Sequence, residues 1–184
     1  METASPIRQL GDPVLRKSAV PVAKNDIGSK KISSAIKHMS AALRGTENGV
    51  AIAAPQMGIS LRIFLVLERA YKPGHDDESP DEAEQKKAER EKEPVMVFIN
   101  PKILRHSRAA RLLEEGCLSV DGQFGKVRRY EKITVEALDE RGKKFTRGAS
   151  GLFAQVVQHE IDHLEGIIFV DKATDLHSIT SSKK

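Results

Sequence analysis

The chain has 184 residues, 39% of them apolar, 30% charged and 4% aromatic with no tryptophan, which fits one soluble domain with a real core and offers no aromatic platform for stacked bases. Net charge is +4, but residues 74–94 hold nine acidic and four basic side chains, so that stretch carries −5 and the rest of the chain +9; such a body suits the neighbourhood of nucleic acid or a ribosome, although a plain solvated surface is the commoner reason for exposed charge. Residues 1–7 lack the apolar run of a secretory signal, no stretch is apolar for long enough to cross a bilayer, and the single cysteine, Cys117, excludes a disulfide framework, so a cytoplasmic protein is expected.

Taken in chain order, Ile32, Ile36, Met39 and Leu43 recur at spacings of 4, 3 and 4, one face of a helix that Gly45 and the Asn48-Gly49 pair should end. The apolar runs 63–67 and 95–99 read as buried strands, the second stopped by Pro101. Between them, 72–94 is polar all round and reads as a surface insertion with a short solvated helix at 82–91. Residues 133–138 and 143–146 flank Asp139-Glu140-Arg141-Gly142 as a β-hairpin. Leu152, Val156, His159 and His163 share a helical face that ends at Gly166, and a flexible tail is expected from about 175. Strands followed by a late helix predict one α+β domain over 1–184.

His159-Glu160-Ile161-Asp162-His163 has the H-E-x-x-H pattern. Positions i and i+4 lie one turn apart on one helix face, so both imidazoles can reach one ion, and the glutamate beside them can move a proton. A hydrolytic centre of this kind needs a third protein ligand and an open position. The downstream pattern H-x-x-G-x-x-H fails at Phe169, and no glutamate follows Glu165. The ligand is therefore sought upstream, where Cys117 is the one thiol; its bland alternative is a small buried filler. Asp162 is expected either behind the ligands, oriented by a base such as Arg129, or in a surface ion pair.

Three segments resemble the motifs of peptide deformylases: Gly49-Val50-Ala51-Ile52-Ala53-Ala54-Pro55-Gln56, Glu115-Gly116-Cys117-Leu118-Ser119 and Gln158-His159-Glu160-Ile161-Asp162-His163. The likeness runs from about residue 7 to 171. It implies antiparallel sheets packed around a central helix that carries the H-E-x-x-H motif. It also implies removal of the formyl group from the initiator methionine of nascent polypeptides, with release of formate. The implied centre is Cys117, His159 and His163 around one divalent ion, Fe(II) in the cell with zinc, nickel or cobalt able to replace it. Glu160 is the implied acid/base, and the Gln56 amide and Leu118 N–H the implied oxyanion donors. Expected substrate contacts are Gly49, Val50, Ala51 and Gly116, with Phe153 and Val156 beside Val50 around the methionine side chain. Expected partners are formylmethionyl nascent peptides and, transiently, the ribosome, with no membrane and no stable nucleic-acid partner. Two positions depart from the family: Ala51 stands for the motif's second glycine, and Asp121 stands where many members have proline. The other readings are a metallopeptidase that uses the same helix with a third His, Glu or Asp ligand, and a homologue that binds N-terminal peptides without turnover.

Overall fold

In the computed structural model, which describes residues 7–72 and 92–178, the first predicted helix forms as α1, Lys30–Arg44. Ser29 caps it by accepting from the Ile32 N–H at 3.3 Å, and Ile32, Met39 and Leu43 bury the face that their spacing marked. α1 lies on a sheet of five antiparallel neighbours: β1 (Ala51–Ala53), β2 (Ile63–Leu67), β3 (Val95–His106), β6 (Lys132–Leu138) and β7 (Lys144–Ser150), in that spatial order. All five residues of β2 are buried, because both faces of the sheet are covered. Ile52, Ile63, Leu65 and Ile99 meet α1, while Phe64, Val66, Phe98 and Val135 meet Phe153, Ala154 and Val157 of the second helix, α2, Gly151–Leu164. Phe64 stacks on Phe98 with ring centroids 4.5 Å apart.

The other side of α2 faces a second sheet of three antiparallel strands, β4 (Ala110–Cys117), β5 (Val120–Tyr130) and β8 (Thr174–Ser178), with β5 in the middle. α2 is thus held between two antiparallel sheets, the α+β arrangement that the resemblance implied. It stops where predicted: Gly166 has φ 75°, and a Cβ there would meet the Arg16 backbone at 2.7 Å.

Two expectations change. The second buried strand does not stop at Pro101 but runs to His106. Asn100 takes a left-handed φ of 52°, its side chain bonds the Val22 N–H and C=O at 2.8 and 2.9 Å, and a register shift absorbs the irregularity. The chain from 174 to 178 is not a free tail either. It pairs with β5 at Gln123, Phe124 and Lys126, which supply the ladder partners that all-exposed side chains gave no sign of. The helix expected at 82–91, most of the acidic insertion and residues 179–184 lie outside the described residues. The insertion's flanks are held together: Arg69 donates to Glu93 at 2.7 Å and to the Gly49 carbonyl at 2.5 Å.

Candidate metal centre

Cys117 ends β4, and His159 and His163 sit one turn apart on α2. The packing of α2 on the small sheet brings one donor atom from each to within 4.8 Å of the others, with Cys117 Sγ 3.2 Å from His163 Nε2. A thiolate and two imidazoles suit a borderline-soft divalent ion, and three protein donors leave a position open for chemistry. The surroundings fit as well. Glu115 Oε2 lies 2.9 Å from His159 Nδ1, which turns the other ring nitrogen toward the cluster. Burial, with His159 and Arg129 nearby, pushes His163 well below the usual imidazole range and keeps it neutral, as a ligand must be.

The Glu115 carboxylate is buried, which alone would raise its pKa. The Arg129 guanidinium at 2.7 and 2.8 Å, together with His159, outweighs burial and holds it at about 2. Arg129 also donates to Asp162 at 2.6 Å, and Lys172 reaches the other Asp162 oxygen at 2.6 Å. The predicted Asp162–Arg129 pair therefore exists, and it is buried rather than a surface bridge. Gln158 stitches α2 to β5 through both the N–H and the C=O of Tyr130, at 3.0 Å each.

Glu160 projects beside the ligands and is 4% exposed, with Oε2 lacking any hydrogen-bond partner among the described residues. Burial pushes its pKa up to about 7, where a carboxylate can both take and return a proton. Gln56 lies in the short helical turn after β1. Its carbonyl accepts from the Ala53 N–H at 2.8 Å, which aims its NH2 at Ser119 Oγ (3.1 Å) and Cys117 Sγ (3.6 Å). The Leu118 N–H makes no hydrogen bond among the described residues.

A cavity of about 420 Å³ opens onto this centre, lined by Gly49, Val50, Ala51, Gln56, Gly116, Leu118, Val156 and Glu160 among others. Phe153 is not part of it. On α2 the pocket face is Leu152, Gln155, Val156 and His159, at helical spacing, whereas Phe153 points the other way into the core against Phe98 and Tyr71. A Cβ at Gly116 would meet the Phe124 ring at 2.7 Å, so a larger residue there would force that ring to move. The sequence also gave no role to Glu115, Ser119 or Lys172; the charge and spacing that unite them belong to the fold, and only the E-G-C-L-S motif marked the first two.

A family profile described as polypeptide deformylase matches residues 4–178. The peptide deformylase of Halothermothrix orenii is 40% identical over 166 residues, covering 90% of this chain and 91% of its own. The chloroplastic/mitochondrial peptide deformylase 1A of Arabidopsis thaliana is 41% identical over 162 residues, 88% of this chain and 58% of that longer protein. Among solved structures, a class I type b peptide deformylase from Acinetobacter baumannii with Met-Ala-Ser bound superposes with a TM-score of 0.76 at 34% identity, covering 94% of this chain and 99% of that one. A likeness that spans both sheets as well as the centre between them settles the lineage: the chain belongs to the peptide deformylase family, metal-dependent hydrolases that remove the N-formyl group from nascent polypeptides.

Proposed function

We propose that the cavity above Cys117, His159 and His163 is where this enzyme deformylates formylmethionyl chains, with Glu160 as the acid/base. The observation that carries the assignment is a buried glutamate, with one carboxylate oxygen unpartnered among the described residues, beside a Cys/His/His donor set. A divalent ion on those three donors would polarise the formyl oxygen and acidify an attacking water. Glu160 accepts the proton from that water as its oxygen attacks the formyl carbon. It then hands the proton to the amine nitrogen as the C–N bond breaks, leaving formate and a free methionine terminus. The Gln56 NH2 and the Leu118 N–H hydrogen-bond the oxygen on which negative charge develops.

The peptide itself has an edge to lie on. β4 is the outer strand of its sheet, and Gln155 Nε2 donates to the Glu114 carbonyl at 2.7 Å, so that carbonyl faces away from β5. Strand periodicity turns the backbone groups of Gly116 the same way, toward the cavity, where an extended peptide can pair with them. Val50 and Val156 supply apolar wall for the methionine side chain.

Fe(II) is the proposed ion in the cell, with zinc, nickel or cobalt as substitutes; the donor set accepts all four. The proposed setting is the cytoplasm, in transient association with the ribosome, in keeping with a nascent-chain substrate and the +9 carried outside the acidic stretch. A peptidase reading needs a third His, Glu or Asp ligand, and the described residues bring Cys117 to that place. The test is formate release from formyl-Met-Ala-Ser by Fe(II)- or nickel-loaded protein, with acetyl-Met-Ala-Ser as control. Formate from the first and no hydrolysis of the second is expected; a metal-loaded protein that releases none would end the proposal.

A further inference from the structure

The chain between α1 and β1, residues 45–50, has no regular structure, yet Asn48, Gly49 and Val50 line the cavity together with Ala51 of β1. Two tethers reach this part of it. The Leu67 N–H donates to the Val50 carbonyl at 2.8 Å, which extends the β1–β2 ladder by one rung. Arg69, in the short helical turn after β2, donates from Nη2 to the Gly49 carbonyl at 2.5 Å. Gly49 has no side chain to anchor it and no room for one, since a Cβ there would meet Thr46 Oγ1 at 2.3 Å. Its carbonyl is therefore the handle by which the segment is held.

Arg69 is itself clamped. Its Nη1 donates to one Glu93 carboxylate oxygen at 2.7 Å, and its backbone N–H donates to the other at 2.8 Å. The two side chains are only 19% and 14% exposed, so water competes little for the pair. Glu93 is held in turn from α1: Arg44, the last residue of that helix, donates to the Glu93 carbonyl from Nε at 3.1 Å and from Nη2 at 2.6 Å. A planar guanidinium can meet a carboxylate and a carbonyl at once in a fixed geometry, whereas an ammonium is a single rotatable point charge. None of these bonds involves Cys117, His159, His163 or Glu160.

We propose that Arg69 is a positioning residue for the substrate: clamped by Glu93, it fixes the Gly49–Ala51 segment against which the formylmethionyl peptide lies, and so governs peptide affinity rather than the chemical step. The inference rests on the reading of the cavity given above.

The experiment measures KM and kcat for formyl-Met-Ala-Ser, with bound metal and the urea midpoint of each protein, in the wild type, Arg69→Met, Arg69→Lys, Glu93→Gln and the Arg69→Met/Glu93→Gln double variant. Loss of one charge-assisted hydrogen bond should raise KM about 5- to 20-fold in Arg69→Met, with kcat within about twofold of the wild type and equal metal content. Arg69→Lys keeps the charge but cannot hold Glu93 and the Gly49 carbonyl together, so it should recover only part of the loss. Glu93→Gln should raise KM about two- to threefold, and the double variant should be no worse than Arg69→Met, because both residues act through one bond. A merely structural role would lower the urea midpoint and leave KM where it was. Calorimetric binding of the deformylated product Met-Ala-Ser should give the same order of variants without turnover. If no formyl peptide is hydrolysed, the reading of the cavity fails while the calorimetry still decides the role of Arg69. A wild-type KM in metal-replete Arg69→Met, or a loss confined to kcat, overturns the inference.

Discussion

The five-stranded sheet buries hydrocarbon on both faces, whereas the three-stranded sheet buries the charged Glu115 and Arg129 as well as Val120 and Val127, with Ser119 buried in the turn between its first two strands. α2 lies between them and has a different surface for each: Phe153, Ala154 and Val157 toward the first, Gln158, His159 and Asp162 toward the second. The division separates two jobs. Apolar packing supplies most of the stability, and it constrains side-chain direction only loosely. Paired charges add little net stability, because desolvation offsets their attraction, but they fix direction closely. The metal ligands sit on the side where direction matters.

The comparison can be broken at either sheet. Phe98 is fully buried against Phe64 and Phe145, so Phe98→Ala should cost about 3–5 kcal/mol in urea unfolding. The metal affinity of the folded protein should stay where it was; a parallel loss of affinity would show that the two jobs are not separate. On the other sheet, Glu115→Gln keeps the volume but removes the charge that faces both Arg129 and His159. Chelator competition should give about 10- to 100-fold weaker metal binding. Unchanged affinity would mean that Glu115 does not orient His159.

The smallest effect belongs to charge at the surface. Asp171 pairs with Arg16, and that hydrogen bond, helped by the Ile168 N–H, draws its pKa below 3.8. A carboxylate whose pKa is lower in the folded state stabilises above its unfolded pKa and loses that contribution as pH falls through the folded value. Arg16→Ala should therefore cost at most about 1 kcal/mol at pH 7, and the gap between wild type and variant should narrow below about pH 4. A gap that widens in acid would contradict the assignment.

The same division governed what could be read from the chain. α1, β2 and the hairpin of β6 and β7 follow ordinary apolar periodicity and form where Ile32, Ile63 and Ile133 marked them. β4, β5 and β8 gave no such signal. The inward positions of β5 include Arg129, those of β4 include Glu115, and β8 has no buried side chain, so alternation of apolar and polar residues fails in all three. The two histidines and Glu160 were legible because helical spacing alone places them together. Cys117 was reached through the absence of a downstream ligand and through its motif. Phe153 was misplaced because its neighbour Leu152, one helical step away, holds the pocket face. The network through Lys172, Asp162 and Arg129 joins residues that only the fold brings near one another.

The central claim is that Glu160 carries the proton in formyl removal. Its most direct test is formate release from a formylmethionyl peptide by Glu160→Gln beside the wild type, with bound metal measured in both. Equal metal content with release slower by about 100-fold or more is the predicted result. Metal-replete Glu160→Gln working at close to the wild-type rate would contradict it.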